Sequence, residues 1–440
     1  MAIKLNSAEN FNKIFTNKAL LSIFDDKIGL NATSGIDGMT SHQFRRDFAL
    51  HTELIITKCK AGTYSFTVYK AKLLSKGYNS CPRIVEKPTL RDRLVLRALF
   101  EILESAFTEQ LVKRRLHTQI ADISKSIKDL QYNCFIKLDV KNYYPSIDHE
   151  ILLKQVKTKI RKVEVIKLLM ASIKNTNSAY KADDIFVRDK GVPQGLSIAN
   201  ILANVYLTPF DKEISKIRNI KYYRYVDDIL ILCNFDNRKY LENKLFKEIE
   251  KYKLVFNDGD KYKVAPIHDK FDYLGYCFSN RKVSIRLKSK RKFKESIIRL
   301  LTIYKHQAKK NPKKLEFKVN LRITGFIWEN KKYGWMFFFS QTENIQELFS
   351  IDHFINRQMK RYKCEELKIK KISRVYKEIT KKGIKSKYIP NYDEYSDDMI
   401  IKLLSYIGIQ FKNIDDAQYK FKKLIHKSIL DIEQDMSAMS

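Results

Sequence analysis

The nine residues Arg224–Leu232, RYVDDILIL, set two adjacent acids inside an otherwise apolar run. Tyrosine, valine, isoleucine and leucine at this density favour a strand. Ionised carboxylates are costly to bury, and they repel each other at close range. The pair Asp227-Asp228 therefore interrupts the run at one point. The longer stretch 221–235, KYYRYVDDILILCNF, is predicted to be strand, acidic turn, strand. Standing alone, such a pair reads most simply as a solvated turn. A hairpin tip also presents side chains to a ligand. Two carboxylates are tolerable side by side where divalent cations neutralise them, and Mg²⁺ takes such hard oxygen ligands together with substrate phosphates.

Working outward, FIKLDV (135–140) is a short apolar strand that places Asp139 near its C-terminal end. Asp139 is the candidate third acid of a two-metal site, in which one ion activates an attacking oxygen and the other stabilises a leaving group. Asp148 and Asp211 are read as a helix cap and a surface acid. HEILLKQVKTKI (149–160) is helical, GVPQGLSIANILANVYL (191–207) is a Gly-Pro loop running into a helix, and a further helix spans 238–252. FDYLGYCFS (271–279) is strand-like. Upstream, residues 1–50 read as helices interrupted by NATSGIDGMTS, where Gly35 and Gly38 turn the chain and Thr40 or Ser41 caps the next helix. Residues 63–90 alternate with the period of strands, and DRLVLRALFEILESAF has helical spacing.

Beyond Ser284 the texture becomes basic and helical. Leu348, Ile351, Ile355 and Met359 mark one helical face, with Arg357, Lys360 and Arg361 off it. The expected division is residues 1–125, 126–284 and 285–440. The fold class is α+β, with an antiparallel sheet and a basic helical C-terminal region.

The chain has 440 residues, and 84 Lys and Arg outweigh 50 Asp and Glu, for a formal charge of +34. These cations are threaded through apolar-periodic segments, so they are not a basic tail. An excess of this size favours a polyanionic partner, most simply nucleic acid. The sequence has no run of about 18 apolar residues, so no transmembrane helix is expected. The first residues lack the apolar run of a signal peptide, and a bacterial cytoplasmic location is expected. Six scattered cysteines (Cys59, Cys81, Cys134, Cys233, Cys277, Cys364) read as reduced, mostly buried thiols, with no zinc-type cluster.

FIKLDVKNYYPSID, GVPQGLSIANILANVYL, YRYVDD and FDYLGY stand in the order of the palm motifs of reverse transcriptases. GIDGMT and RIVEKPTLRDRLVLRAL resemble the fingers of the group II intron-like prokaryotic members. The resemblance covers roughly residues 30–285, with a weaker thread through LRITGF and KKYGWMFFFSQ. It implies a right-hand polymerase fold with fingers (1–125), palm (126–284) and a helical thumb with extension (285–440). It also implies RNA-directed DNA synthesis from dNTPs with two Mg²⁺, for which Mn²⁺ is a possible substitute.

On this resemblance Asp139, Asp227 and Asp228 are the metal ligands and catalytic acids, with the Val140 carbonyl an extra ligand. Tyr144 occupies the place of the aromatic gate that presses on a ribose 2′-OH; a core aromatic beside Tyr143 is the alternative. Gln194 would lie against the incoming nucleotide, and Arg83 and Lys87 would reach its triphosphate. Arg93 reads as structural. Lys261 would protonate the leaving pyrophosphate, although Gly259 shifts the local spacing by one residue. FDYLGY would form the primer-grip hairpin, with Tyr273 and Leu274 packing it and Gly275 permitting close backbone approach.

Where most intron and retroviral members continue after PQG with Ser-Pro, this chain has Ala199-Asn200. The departure resembles the defence-associated, abortive-infection branch, and implies antiphage defence through copying of a dedicated non-coding RNA. The expected partners are that RNA, the RNA–DNA heteroduplex and dNTPs, with no membrane and a homo-oligomer left open. A retron or group II intron-related enzyme, template-independent or protein-primed synthesis, and a non-catalytic RNA-binding scaffold are the alternatives. The aromatics Tyr304, Phe317, Trp328 and Trp335 read as core or as base-stacking platforms, with core favoured for the tryptophans.

Overall fold

The apolar runs at 135–139 and 229–233 are too short for helices, and they pair. In the computed structural model, which describes residues 7–29, 33–75, 82–112, 116–179, 188–381 and 386–437, the strands are β1 (Lys70–Leu74), β2 (Arg83–Lys87), β3 (Cys134–Asp139), β4 (Lys221–Tyr225), β5 (Asp228–Cys233), β6 (Lys263–Pro266), β7 (Phe271–Tyr273), β8 (Tyr276–Ser279), β9 (Lys282–Ile285), β10 (Phe326–Trp328) and β11 (Lys331–Tyr333). The chain divides into two compact units. One comprises residues 1–118 and 131–266, the other 119–130 and 267–440.

The first unit is built on a four-stranded sheet of order β4-β5-β3-β6. All its pairings are antiparallel. The central strands β3 and β5 are nearly continuous in apolar residues because both faces are covered: Ile229 through Cys233 are all buried. One helix, Leu90–Val112, buries Leu94, Leu99, Ile102 and Leu103 in the same core. Helix Ala199–Tyr206 buries six of its eight residues there.

Two sequence expectations for this unit need correction. The alternation over 63–69 does not make a strand. Buried Asp92 accepts the Tyr64 hydroxyl at 2.8 Å and the Thr67 N–H at 3.1 Å, so alternate residues anchor a loop and no ladder forms. Only β1 and β2 of the 63–90 stretch are strands, paired antiparallel from Lys70↔Lys87 to Leu74↔Arg83. Asp211 is not a surface acid. Its carboxylate takes both arms of the Arg224 guanidinium at 2.6 Å, and Arg224 is buried. Other expectations hold. Thr40 caps Ser41–Arg46 in a reciprocal box with Gln43, and Asp148 caps His149–Lys157. Arg93 is structural, donating to the carbonyls of Pro88 and Thr33.

The second unit holds the sheet β7-β8-β9 and the ribbon β10-β11, with the remainder mainly helical. FDYLGYCFS is two antiparallel strands, the hairpin that the resemblance implies for FDYLGY. Leu274 (φ 49°) and Gly275 (φ 81°) make the two-residue turn between Tyr273 and Tyr276, which are register partners. Leu348, Ile351, Ile355 and Met359 are buried along helix Ile345–Arg361, and Arg357, Lys360 and Arg361 are exposed. Buried Asp352 of this helix caps the next, Ile372–Thr380, accepting from the N–H groups of Ile372 and Ser373 and from the Ser373 hydroxyl. Trp335 is core, its ring 4.6 Å from Phe293 and 4.7 Å from Phe339. Trp328 packs edge-on against Phe421.

Cys59, Cys134, Cys233, Cys277 and Cys364 are buried and unbridged; Cys81 lies outside the described residues. Among the described residues no helix is long and apolar enough to cross a membrane.

Replacing Arg224 by Ala leaves a part-buried carboxylate without its guanidinium. Urea unfolding should show a loss of about 3–5 kcal/mol. Arg224→Lys should recover only part of it, because an ammonium cannot engage both oxygens in a fork.

Candidate active site

Register brings the acids together. β3 and β5 pair from Cys134↔Cys233 to Asp139↔Asp228, so Asp139 and Asp228 are directly opposite at one end of the sheet. Tyr225 pairs with Asp228, which leaves Val226 and Asp227 as the two-residue hairpin loop. Val226 takes φ 58°, a conformation that β-branched residues rarely adopt. The strained loop is held from two sides. Arg224 donates to the Val226 carbonyl at 2.7 Å, and the Val140 N–H donates to the Asp227 carbonyl at 3.1 Å.

Asp139 is gripped by the segment after helix Arg238–Glu250. Lys141 N–H donates to the Val255 carbonyl at 2.9 Å, and Asn257 N–H to the Asp139 carbonyl at 2.8 Å. The Asn257 side-chain amide then reaches Asp139 Oδ2, and Lys261 Nζ lies 2.8 Å from the same oxygen. Lys137, two residues earlier on β3, is 3.9 Å from Asp228. Burial first, and then the charge of Asp139, pushes the Asp227 carboxyl up to about 6, with Asp228 adding to the rise and Lys261 opposing it. This electrostatic signature is of several carboxylates converging with too little compensating charge. Among the described residues no three acidic, His or Cys side chains are set to hold a metal by themselves. The donor set nonetheless suits a hard cation, since Mg²⁺ is usually held by one or two carboxylates and completes its shell with substrate phosphates.

Two loops adjoin the acids. Tyr144 lies in the turn of helix Tyr143–Ser146 after β3, is 9% exposed, and has its phenol raised above the ordinary range by burial and by Asp227. The Gly191–Gly195 loop is pinned to this turn. Gly191 N–H donates to Ile147, Val192 N–H to Tyr144, and His149 Nε2–H to the Gly191 carbonyl. A Cβ at Gly191 would sit 2.9 Å from the Pro145 carbonyl oxygen. The Tyr144 hydroxyl donates to Asn200 Oδ1.

The same loop is zipped to β2. Glu86 N–H donates to the Gln194 carbonyl at 2.7 Å, and Arg83 Nε–H donates to Gln194 Oε1. Gly195, at φ 106°, leaves room for no side chain, because a Cβ would lie 2.6 Å from the Glu86 carbonyl oxygen. Lys87 belongs to a cationic ribbon. It pairs with Lys70 in register, and burial, then Arg93, Lys70 and Lys72, hold its ammonium below the usual lysine range.

Asp139, Val140, Asp227, Asp228 and Lys261 are thus gathered at one sheet end. Tyr144 and Gln194 follow on linked segments, and Arg83 reaches Gln194 from β2. Tyr273, Leu274 and Gly275 belong to the second unit, where the Gly275 carbonyl accepts from Arg286 N–H and the Ser289 hydroxyl. A Cβ on Gly275 would touch the Phe339 ring at 3.3 Å.

Sequence reading assigned no role to Glu86, Asn257, Lys70 and Lys72, and named Asn200 in its variant pair without its contact to Tyr144. Glu86 is buried and holds Arg188 at 2.7 Å and Asn177 at 2.8 Å. An acid flanked by Ile84-Val85 was the available signal for it. Asn200 and Asn257 are neutral residues with no periodicity to betray them.

Residues 75–278 match the reverse transcriptase (RNA-dependent DNA polymerase) family. The group II intron-encoded protein LtrA of Lactococcus lactis subsp. cremoris is 24% identical over 237 residues, covering 49% of this chain and 38% of that protein. Protein YkfC of Escherichia coli (strain K12) is 24% identical over 192 residues, covering 41% of this chain and 49% of that protein. The chain therefore spans less than half the length of these relatives. A solved telomerase from Candida albicans, in complex with a fragment of telomeric RNA, aligns at 13% identity over 91% of this chain and 68% of its own, with a TM-score of 0.44. Residues 75–278 are a reverse transcriptase domain, and its fold is that of the right-hand polymerases.

Proposed function

We propose that the chain is an RNA-directed DNA polymerase that extends a primer with dNTPs and releases pyrophosphate. The observation that carries this reading is the carboxylate cluster at the end of β3 and β5, inside a reverse transcriptase domain, with Asp227 pushed up to about 6 by burial and by Asp139. Asp139, Asp227, Asp228 and the Val140 carbonyl would hold two Mg²⁺, or Mn²⁺ in their place. When bound, such ions supply activation of the attacking hydroxyl oxygen and stabilisation of the departing phosphate charge. Lys261, already beside Asp139, protonates the leaving oxygen. Arg83 and Lys87, with Lys70 and Lys72 on the same ribbon, bind the triphosphate. Tyr144 excludes a 2′-OH, and Gln194 lies under the new base pair. Tyr273, Leu274 and Gly275 support the primer backbone. Residues 1–125, 126–284 and 285–440 act as fingers, palm and thumb with extension. The net charge of +34 suits an RNA template and heteroduplex.

The biological reading is antiphage defence in the bacterial cytoplasm on a dedicated non-coding RNA, supported by the Ala199-Asn200 variant. A second reading, an enzyme allied to group II introns, is favoured by the similarity to LtrA. Sequencing the RNA and DNA that co-purify with the protein, with and without phage infection, separates them. cDNA of one small RNA supports defence, intron sequence supports the second reading, and a branched RNA–DNA hybrid points to a retron enzyme.

On a primed RNA template, Asp227→Ala should abolish dNTP incorporation while RNA binding persists, and Lys261→Ala should slow it by about 10²-fold. Binding of RNA without incorporation by the wild-type chain would leave only the scaffold reading; incorporation without template or primer would point to untemplated synthesis.

Asp227 also makes stability depend on pH. Its carboxyl titrates near 6 when folded, against 3.8 as the reference. The folded state thus holds this proton more tightly than the unfolded chain does. Its contribution is fully present below about 3.8 and is lost as pH rises through about 6. In chelator, urea midpoints should show roughly 2–3 kcal/mol of this loss across the window, at about 1.4 kcal/mol per pKa unit. Asp227→Asn should flatten the dependence, and should be more stable than wild type at pH 7.

A further inference from the structure

Tyr144 and Asn200 form a link that the surrounding backbone does not need. The two segments are already joined through Val192 N–H to the Tyr144 carbonyl at 2.9 Å and Gly191 N–H to the Ile147 carbonyl at 2.7 Å. Beyond these, the Tyr144 hydroxyl donates to Asn200 Oδ1. Asn200 sits in the first turn of helix Ala199–Tyr206 and is exposed, outside the buried face formed by Ala199, Ile201, Leu202, Ala203, Val205 and Tyr206. Asparagine is a poor helix former, and neither packing nor helix propensity accounts for it here. What it does is hold one phenol.

That phenol is well placed for the hold to matter. The Tyr144 ring packs 5.9 Å from Tyr143 on one side, and its hydroxyl lies within the fields of Asp227 and Arg83. An aromatic side chain turns about two soft torsions. Packing against Tyr143 restrains the near end of the ring, and a hydrogen bond at its far end fixes the lean of the whole ring. A proline at this position, as in the Ser-Pro pair, has no side-chain acceptor to offer.

We propose that Asn200 is a specificity-positioning residue: by holding the Tyr144 hydroxyl it fixes the ring against the sugar of the incoming nucleotide and sets how strongly ribonucleotides are excluded. The inference rests on the polymerase reading above. A 2′-OH can be accommodated only if the ring retreats, and retreat breaks the bond to Asn200 and forfeits its contribution. A deoxyribose makes no such demand, so the bond acts on one substrate class and not on the other.

The test is kcat/KM for single dNTP and rNTP addition by the full chain on a primed RNA template. Asn200→Ala and Asn200→Leu should lower the dNTP/rNTP ratio roughly tenfold, about the worth of one such hydrogen bond, chiefly through a lower KM for the rNTP. Tyr144→Phe should do the same, and the double variant Tyr144→Phe/Asn200→Ala should be no worse than either single variant. Asn200→Asp, which keeps an acceptor, should restore selectivity. An unaltered ratio in Asn200→Ala and Asn200→Leu, alongside a lowered ratio in Tyr144→Ala, overturns the role of Asn200 and leaves the gate standing. A ratio unmoved by Tyr144→Ala as well removes the gate itself. Absence of any incorporation by the wild-type chain defeats the polymerase reading, and this inference with it.

Discussion

Arg224 is the residue on which the acidic corner depends. Its guanidinium spans three pieces of chain: the Asp211 carboxylate, the Val226 carbonyl at 2.7 Å and the Asn204 carbonyl at 3.4 Å. Each contact solves a different problem. Asp211 neutralises a cation that is almost wholly buried. Asn204 belongs to the helix that follows the Gly191–Gly195 loop, so this contact ties the loop's helix to β4. Val226 is the strained residue of the hairpin, and an arginine donor at its carbonyl helps hold the left-handed conformation that turns Asp227 toward Asp139. A lysine at 224 would satisfy at most part of this set, since only a planar fork reaches a carboxylate bidentately while serving carbonyls on other arms.

The corner so formed is electrostatically unfinished. Asp139 is satisfied within the protein by Asn257 and Lys261, and Asp228 has Lys137 at the edge of ion-pair range. Asp227 has like charges for neighbours and too little water, and its carboxyl is the one that shifts. Sites that keep one acid under such pressure are candidates for function because the strain is relieved only by something brought from outside. A cation is the simplest relief, and the cationic β1–β2 ribbon supplies the complementary need for an anion. On the proposed reading, a metal-bound triphosphate would answer both needs together.

Much of this was legible in the sequence, and the physical reasons differ by residue. β3 and β5 announced themselves because a sheet covered on both faces must be apolar throughout, so any acid in it stands out. Helix Ile345–Arg361 showed its stripe because one face alone is buried. Thr40 and Asp148 were readable because capping is local, within three residues. Asp211 was misread because its partner lies 13 residues away across a helix–strand packing, and nothing local distinguishes a paired acid from a solvated one. The stretch 63–69 was misread because alternation reports which side chains turn inward, not whether a neighbouring strand exists to pair with. Buried Asp92 took the place of that neighbour. The roles of Glu86, Asn200 and Asn257 were missed for a related reason: each acts through hydrogen bonds to a segment distant in sequence.

These residues share a pattern. Glu86 holds the Gln194 loop through its backbone, Asn257 holds Asp139, and Asn200 holds Tyr144. In each case the residue to which the motif assigns a role is oriented by one to which it assigns none. The reason lies in what each layer must satisfy. A group meant to touch a ligand needs a particular chemical character, which restricts it to few residue types and makes it recognisable. A group that only orients another needs one donor or acceptor at the right place, which many residue types supply, so its identity follows the local geometry of this particular chain. The tightness of the geometry is therefore set by the layer that sequence reveals least. At Asn200 that layer coincides with the point where the sequence departs from the Ser-Pro pattern, so on the proposed reading a difference in nucleotide selectivity would originate there.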